Sequence, residues 1–245
     1  MDKIFYLIPA YNAEDTIIDT LESIDFQSGY NPKVIIVNDG STDNTNGVIR
    51  AYLKKRILLD RVKLIYQENS GVASALNRGL QEIPKGVWIF RLDADDLDIL
   101  GRQKEMIRFM TYNNLDLAGS DMIEFGASNS VRYYPKSDLA IKIALNFNVS
   151  PFAHPSIVFS PRITHLLEYP KVYQEDLELY KTLKSKMLQF GNLPKATIMY
   201  RIHNLQITKS SAFMSHSQKI PKIKNILKIF FQIVLLRQIT IYDKF

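Results

Sequence analysis

The sequence contains no cysteine, which excludes disulfide bonds, thiolate catalysis and cysteine-based zinc sites. It has only four histidines in 245 residues, which also argues against a histidine-rich metal centre. The apolar stretch between Met1 and Pro9 is too short for a secretory signal peptide, so we expect the fold to start at once.

The chain also lacks the glycine-rich sequences of two common nucleotide-binding classes. No G-x-G-x-x-G follows the first predicted strand and no Walker sequence is present, which argues against a dinucleotide dehydrogenase and a P-loop ATPase. The hydrophobic fraction of 46% suits one large α/β domain, or such a domain with an appendage. A net charge of +6 and a pI of about 9.3 favour anionic partners: phosphates, nucleic acid or lipid headgroups.

Strand-like and helical patterns alternate in the first half of the chain. We predict strands at 4–8, 34–37 and 62–66 and around Trp88, and helices from about Ile17 to Ile24 and at 45–54 and 71–83. Strand–helix alternation with crossovers of this length predicts a mostly parallel sheet with helices on both faces. Ligands of such sheets bind at the carboxyl ends of the strands.

Polar residues follow the strands at this expected edge. Tyr11 and Asn12 come after the first strand, Asp39 after the second, and Asp93 and Asp95 after the fourth. The carboxylate of Asp39 can accept a hydrogen bond from a base edge, or it can form a turn before Gly40; local sequence favours neither.

Three carboxylates, Asp93, Asp95 and Asp96, directly follow the apolar run that contains Trp88. Such a cluster repels itself unless water, a cation or a basic group balances it. Oxygen ligands suit Mg²⁺ or Mn²⁺, which keep open positions for phosphate oxygens. The alternative is an acidic turn that caps the next helix, a role we assign to Asp96 in either case.

The second half predicts helices at 102–112 and 174–186 and strands at 115–125, 156–159 and 197–202. Residues 126–137 are predicted to form a loop or short hairpin, either a lid or an ordinary surface connection.

Near the C-terminus, lysines occur at intervals in an apolar run that is too short to span a bilayer. Residues 219–241 predict a basic amphipathic helix on an anionic membrane surface, or a helix packed on its own domain or on a partner subunit of a homo-oligomer.

Four segments in order resemble a known family: Ile8-Pro-Ala-Tyr-Asn12, Val37-Asn-Asp-Gly-Ser-Thr-Asp43, Asn69-Ser-Gly-Val-Ala-Ser-Ala-Leu-Asn-Arg-Gly79 and Leu92-Asp-Ala-Asp-Asp96. Three more follow at His154-Pro-Ser156, Glu175-Asp-Leu-Glu-Leu179 and Tyr200-Arg-Ile-His203. Together they resemble the inverting glycosyltransferase family 2, whose members have the GT-A fold, a Rossmann-like α/β architecture. The resemblance covers nearly everything before the C-terminal segment.

The resemblance implies roles for the matching positions. It implies a nucleotide-sugar site formed by Pro9, Ala10, Tyr11, Asn12, Asp39, Asn69, Gly71, Asn77, Asp93 and Arg201, with Asp39 on the base, usually uracil. It implies a divalent ion, Mn²⁺ or Mg²⁺, held by Asp95 with Asp93 and His203. Asp176, with Glu175 beside it, matches the general base, although both acids would also be favourable at a helix N-terminus.

The implied reaction is one in-line displacement. Asp176 would take the proton of an acceptor hydroxyl, which attacks the anomeric carbon and gives a β-linked product from an α-linked donor. The expected donor is a UDP-sugar, and the expected acceptor is a saccharide or lipid-linked saccharide in bacterial surface polysaccharide synthesis. The enzyme would be cytoplasmic and peripheral on the inner face of the plasma membrane.

We expect a GT-A domain at 1–209, with a nucleotide-binding half at 1–100 and an acceptor-binding half at 101–209, and a basic helical tail at 210–245. A catalytically silent nucleotide-sugar-binding or membrane scaffold protein is an alternative. A D-x-D phosphatase fits less well, because Leu97 stands where that class wants Thr or Val. A nucleic-acid partner is not expected, since the basic residues are scattered or C-terminal.

Overall fold

The computed structural model describes residues 3–202, so His203 and the predicted tail lie outside the described residues. Nine strands form one sheet in this range: β1 Ile4–Ala10, β2 Lys33–Asp39, β3 Val62–Gln67, β4 Trp88–Arg91, β5 Leu97–Asp98, β6 Leu117–Gly126, β7 Val131–Arg132, β8 Val158–Phe159 and β9 Phe190–Ile202. Six α-helices flank it: α1 Ile17–Ser23, α2 Thr45–Arg56, α3 Val72–Leu80, α4 Arg102–Tyr112, α5 Asp138–Asn146 and α6 Glu175–Ser185.

The strands run in the order β3-β2-β1-β4-β8-β6-β9-β5, and β7 pairs with β6. The first four are mutually parallel, whereas β8 is antiparallel to both β4 and β6. β9 is parallel to β6, and β5 is antiparallel to β9. The predicted parallel sheet is therefore confirmed for the first half of the chain, and the second half extends it with mixed pairings.

Successive side chains of each strand point to opposite faces of the sheet and pack into two apolar cores, one on each face. In β1, Tyr6 and Ile8 pack with α1, α2 and α4, whereas Phe5 and Leu7 pack with α3, α5 and α6. Because both faces are covered, the central strands are continuous apolar runs, such as Val34 to Val37 in β2, all of them buried. The predicted helices on both faces are confirmed.

The segment between β6 and α5 is the short hairpin that the sequence allowed. β7 pairs antiparallel with β6 through Met122 opposite Arg132 and Ile123 opposite Val131. The buried Glu124 accepts hydrogen bonds from Ser128 and Ser130 and forms an ion pair with Arg132. These contacts lower the pKa of Glu124 against the effect of its burial and hold the hairpin together.

Between residues 3 and 202, no helix is both long enough and apolar enough to cross a membrane.

Candidate functional site

The loops that follow β1 and β2 are tied together through Asn12. Its backbone adopts a left-handed φ of 49°, and its side-chain oxygen accepts a hydrogen bond from the Thr42 amide at 2.8 Å. In return, the Asn12 amide donates to the Ser41 hydroxyl at 3.0 Å. Pro9 and Ala10 are in β1 itself, and Tyr11 is half exposed beyond its end. The predicted nucleoside-lining residues thus lie at the end of β1 and in the fixed loop that follows it, at the carboxyl edge of the sheet.

Asp39 is buried at the end of β2 and organises the loop that leads into α3. Its carboxylate accepts hydrogen bonds from Gln67 Nε2 at 2.7 Å, from the Ser70 amide at 2.9 Å and from the Gly71 amide at 2.9 Å. Gly71 has a φ of +85°, which only glycine adopts without strain. The exposed Asn69 lies in the same loop. Asp39 therefore fixes the loop that carries Asn69 and Gly71, two of the predicted binding residues. Recognition of a base by the Asp39 carboxylate stays a prediction.

Asn77 binds backbone rather than facing open solvent. Its Nδ2 donates to the Tyr169 carbonyl at 2.7 Å, and its Oδ1 accepts from the Tyr169 amide at 2.8 Å. The side chain thereby fastens α3 to the segment that leads into α6. Its contribution to the candidate site in this structure is to hold that segment, and a direct contact with a nucleotide sugar stays a prediction.

Arg91, the last residue of β4, is a buried cation directly before the acidic turn. Its Nη2 forms an ion pair with Asp93, and its Nη1 donates to the Leu92 carbonyl. Burial disfavours the charge of Arg91, but Asp93, Tyr169 and Tyr180 together favour it more, so the pKa of Arg91 is raised. The sequence motifs do not point to Arg91 as a site residue. The available signal was one charged residue inside an otherwise apolar strand.

Asp96 is fully buried and pairs with backbone instead of capping a helix. Its Oδ1 accepts from the Arg201 amide at 2.9 Å, and within residues 3–202 its Oδ2 has no hydrogen-bond partner. Burial, and then the charges of Asp93 and Asp95, raise the pKa of Asp96 well above its usual range. The predicted helix-capping role is wrong, because α4 begins after Gly101.

Arg201, near the end of β9, holds the acidic turn from the other side. Its Nε donates to the Asp95 carbonyl at 2.8 Å, and its Nη2 reaches Asp19 on α1 at 3.0 Å. The guanidinium lies 4.6 Å from the centre of the Phe125 ring, within the range of a cation–π contact. These contacts position the backbone of the turn that carries Asp95.

Glu175 and Asp176 open α6 and are both half-buried. Burial raises the pKa of Asp176, while the amides of the first helical turn, the charge of Arg91 and the nearby Ser150 hydroxyl oppose the shift. Burial also raises the pKa of Glu175, and the negative charges of Asp176 and Asp93 add to this effect. A proton acceptor with a raised pKa is suited to general-base catalysis.

The acidic turn and the start of α6 belong to one electrostatic site. Arg91 and Asp93 act on Glu175, and both also act on the buried Tyr169, whose pKa is raised mainly by burial. His154 hydrogen-bonds the Tyr169 hydroxyl at 3.2 Å. Burial and the charge of Arg91 lower the pKa of His154 well below its usual value, so this imidazole is neutral. The structure thus joins residues that lie on β4, on α6 and in the segments between β6 and α6.

The side chains at the acidic turn show whether a divalent cation could bind there. Within residues 3–202, no three histidine or carboxylate side chains are grouped closely enough to form a complete metal site. Mg²⁺-type sites, however, commonly use one or two carboxylates, with phosphate oxygens and water as the remaining ligands. Asp93 and Asp95, both half-buried, fit such a partial site, and the buried Asp96 oxygen without a hydrogen-bond partner lies in the same turn. The third predicted ligand, His203, is outside the described residues.

Residues 6–169 match the family model described as glycosyl transferase family 2. An Escherichia coli protein, UDP-Glc:alpha-D-GlcNAc-diphosphoundecaprenol beta-1,3-glucosyltransferase, is 28% identical over 83% of this chain and 78% of its own. The structure of S. aureus TarS 1–349 in complex with UDP-GlcNAc aligns with a TM-score of 0.66 and 18% identity, covering 88% of this chain and 64% of TarS. A Pyrobaculum calidifontis mannosyltransferase in complex with GDP-Man and Mn²⁺ aligns with a TM-score of 0.62 and 16% identity, covering 82% of this chain and 57% of its own.

The structural matches confirm the predicted GT-A-like α/β fold. The lengths of the chains differ, however. An uncharacterized glycosyltransferase from Rickettsia bellii is 34% identical over 46% of this chain, yet the match spans 16% of that relative.

Proposed function

Since the chain belongs to glycosyl transferase family 2, we propose that it transfers a sugar from a nucleotide-sugar donor, a UDP-sugar, to a saccharide or lipid-linked saccharide acceptor with inversion at the anomeric carbon. The observation that carries this proposal is the single electrostatic site that contains both the acidic turn and the carboxylates of α6. Donor and acceptor chemistry need to meet within one such site.

Asp176 is the proposed general base. It is half-buried, its pKa is raised by burial, and backbone amides of the first turn of α6 favour its ionised form. It would take the proton of the acceptor hydroxyl as that oxygen attacks the anomeric carbon. The bond from the anomeric carbon to the nucleotide diphosphate breaks in the same step, so an α-linked donor gives a β-linked product. Glu175 raises the negative charge around the base and is the second acidic candidate.

The donor side is proposed to use the loops at the carboxyl edge of the sheet. Tyr11 is exposed enough to contact a nucleoside, and Asp39 and Asn12 hold the two loops on either side of it. Asp95 and Asp93 would hold Mn²⁺ or Mg²⁺, whose charge would offset that of the diphosphate. Arg201 would fix the turn that presents Asp95. The UDP-GlcNAc bound to TarS and the Mn²⁺ of the mannosyltransferase support this assignment by analogy of fold.

The diphosphoundecaprenol acceptor in the name of the E. coli relative supports a lipid-linked acceptor, and a teichuronic acid biosynthesis glycosyltransferase from Bacillus subtilis, 36% identical over 42% of this chain, supports surface polysaccharide synthesis. Both are properties of those proteins and motivate the choice of substrates to test.

The decisive experiment has two parts. A thermal-shift panel of nucleotide sugars with and without Mn²⁺ identifies the donor, because a ligand that binds only the folded state raises the melting temperature. NMR of the product formed with that donor then reports the linkage. A β-linkage from an α-linked donor is expected, and an α-linkage would overturn the inverting mechanism. Donor binding without transfer or donor hydrolysis would favour the silent-binding alternative. Asp95→Ala is expected to abolish the Mn²⁺-dependent part of the shift.

A further inference from the structure

Helix α5 carries apolar side chains on two faces. Ile141, Ala144 and Leu145 are buried against the domain. A second set follows the i, i+4, i+8 spacing of one helical face and continues past the helix end. We call this second set the α5 stripe; it comprises Leu139, Ile143, Phe147 and Val149, which are 69%, 37%, 43% and 44% exposed. An amphipathic surface helix would have polar residues there, so the exposed apolar face requires an explanation.

The stripe leads to the proposed general base. At the start of α5, Asp138 accepts a hydrogen bond from the Phe190 amide at 2.9 Å, next to the end of α6. At the other end, the segment after Val149 packs on α6, where the rings of Phe152 and Tyr180 lie 4.9 Å apart and the Ser150 hydroxyl is close enough to Asp176 to lower its pKa. The two helices therefore run in opposite directions, and the stripe ends beside the carboxylate that would activate the acceptor. Val172, also half exposed, precedes α6 on the same approach.

Lysines lie on the segments that flank the stripe, whereas the carboxylates of Glu175 and Asp176 lie only at its end, next to the proposed active site. Lys171 and Lys186 are exposed on the flanking segments, and Lys184 donates to the neutral amide of Asn146. The two acids on α5 and in the middle of α6 are already paired: Asp138 with Lys142 at 2.7 Å and Glu178 with Lys181 at 2.6 Å. An apolar face bordered by lysines complements an anionic lipid surface.

Charge also favours an anionic lipid surface over two other occupants of the stripe, the C-terminal segment of this chain and a second copy of the protein. The segment from Lys219 onward is itself basic, with Lys219, Lys222, Lys224 and Lys228 in succession, so it would meet the lysines beside the stripe with the same sign. A second copy that covers the stripe symmetrically would likewise bring these lysines together. Of these three occupants, an anionic membrane surface alone supplies negative charge and an apolar interior at once.

We propose that the α5 stripe is a membrane-contact surface that rests on anionic lipid and, given the proposed function, brings a lipid-linked acceptor to Asp176. The apolar side chains enter the interface, and the lysines lie at the level of the lipid phosphates. The lipid part of the acceptor then stays in the bilayer while its sugar reaches the base.

The absence of cysteine allows a site-specific test on the full chain. Leu139→Cys is labelled with a polarity-sensitive fluorophore and mixed with phosphatidylcholine vesicles that contain phosphatidylglycerol. Leu59→Cys is the matched control: it is 67% exposed and follows the basic end of α2, but it lies at the amino edge of the parallel strands. We expect a blue shift of emission at position 139, a smaller shift with pure phosphatidylcholine, and none at position 59.

Three results would overturn the proposal. An unshifted probe at 139 in a chain that still sediments with vesicles would place the contact elsewhere. A shift without vesicles that grows with protein concentration would indicate a second copy. A blue-shifted probe in dilute, vesicle-free protein would indicate that the chain covers its own stripe.

A second pair of variants tests the membrane-contact surface without a fluorescent label. Leu139→Gln/Ile143→Gln is expected to weaken vesicle binding by roughly tenfold, whereas Ile57→Gln/Leu59→Gln leaves it unchanged. These measurements use no nucleotide sugar, so they are independent of the donor-binding panel. A vesicle response without donor binding would refute the proposed function alone, and the reverse would refute the membrane surface alone.

Discussion

Asp176 experiences two opposing influences at the start of α6. The helix N-terminus and Arg91 favour its ionised form, whereas burial favours the neutral acid and prevails, so that its pKa is raised. A general base works only when it is ionised. Turnover should therefore fall as the pH is lowered through this raised pKa, at higher pH than for an ordinary aspartate.

Asp176→Asn tests this assignment. We expect turnover to fall by at least about a thousandfold, because the amide cannot accept the proton, while the donor-induced thermal shift is retained. The wild-type pH profile of kcat/KM should show an acid limb that is absent from the residual activity of the variant. Loss of donor binding would assign Asp176 a different role.

Arg91 lowers the pKa of Asp176 and pairs with Asp93. Arg91→Met removes this positive charge, so the acid limb of kcat/KM should move to higher pH. Arg91→Lys keeps the charge and should move the limb less. The control is Arg78→Met on α3, which breaks a surface ion pair with Glu82 just beyond the helix and should leave the limb in place. An unmoved limb in Arg91→Met would show that Arg91 has only a structural role.

At the scale of elements, a buried polar triad joins β1, β5 and α4. Tyr6 donates to Asp98 at 2.6 Å, and Arg102 Nη1 donates to the same carboxylate at 2.9 Å. Arg102 Nη2 also donates to the carbonyls of Arg91 and Pro155 at 3.0 and 3.1 Å. The triad thus fixes the end of β4, next to the acidic turn, against the segment that carries His154.

Arg102→Met should destabilise the domain by about 3–5 kcal/mol, because Asp98 is left as a buried charge without its cation. Burial raises the pKa of Asp98 and Arg102 opposes this, so the variant raises the pKa further. A carboxylate with a raised folded-state pKa destabilises more as pH rises, so the loss should shrink toward acid pH. Urea unfolding at several pH values measures it. Lys195→Met, in an exposed pair with Glu105, is the control and should change the midpoint little.

Gly79 shows where packing overrides helix propensity. Alanine is usually better than glycine in a helix by about 1 kcal/mol. A Cβ at Gly79, however, would lie 2.3 Å from Leu7 Cδ1 and 3.2 Å from Val37 Cγ2. Gly79→Ala should therefore destabilise the domain by about 1–3 kcal/mol in urea unfolding. Ser74→Ala in the same helix is the control, and a stabilised Gly79→Ala would contradict the close packing of α3 on the sheet.

Helices and strands whose apolar residues repeat with one clear period were predictable from the sequence. α4 was predicted at its observed bounds, because apolar residues such as Met106 and Met110 recur on one face. α5 was missed because Leu139 and Ile143 on one side and Ile141 and Leu145 on the other give no single apolar stripe. β9 was predicted from Thr197 but begins at Phe190, because Pro194 cannot donate to a ladder and hides the first part of the strand.

The positions of the candidate site residues were predictable where they lie at or just after the end of a strand, and their roles stay predictions. Asp39, Asp93 and Asp95 are on the expected edge, and Asp176 shares an electrostatic site with Arg91. The partners of these residues were not predictable. Asp39 binds amides of a loop 31 and 32 residues later, and Arg201 reaches the acidic turn across more than 100 positions. Such long-range contacts follow from the sheet order, which local patterns do not contain.

For the whole molecule, the excess of positive charge bears on association with membranes. The full chain carries +6, and lysines border the α5 stripe. Exposed charges are screened as the Debye length falls from about 10 Å at 0.1 M salt to about 3 Å at 1 M. Vesicle binding should therefore weaken strongly between these salt concentrations, measured by co-sedimentation with phosphatidylglycerol vesicles. Binding that is unchanged at high salt would mean that lysines contribute little.

The irregular pairing of β9 with β6 has a consequence for how this fold can be recombined. Ser120 pairs with Leu193, but the next residue, Asp121, pairs with Ala196, so extra residues bulge from β9 at this point. Before the bulge, β9 lies next to α5, where the Phe190 amide donates to Asp138. After the bulge, β9 continues to Arg201, whose amide donates to Asp96 of the acidic turn. A bulge absorbs length changes that would otherwise turn every following side chain to the other face. Residues 194–195 are thus a natural crossover point for chimeras that combine the part of β9 next to α5 from one relative with the part next to the acidic turn from another.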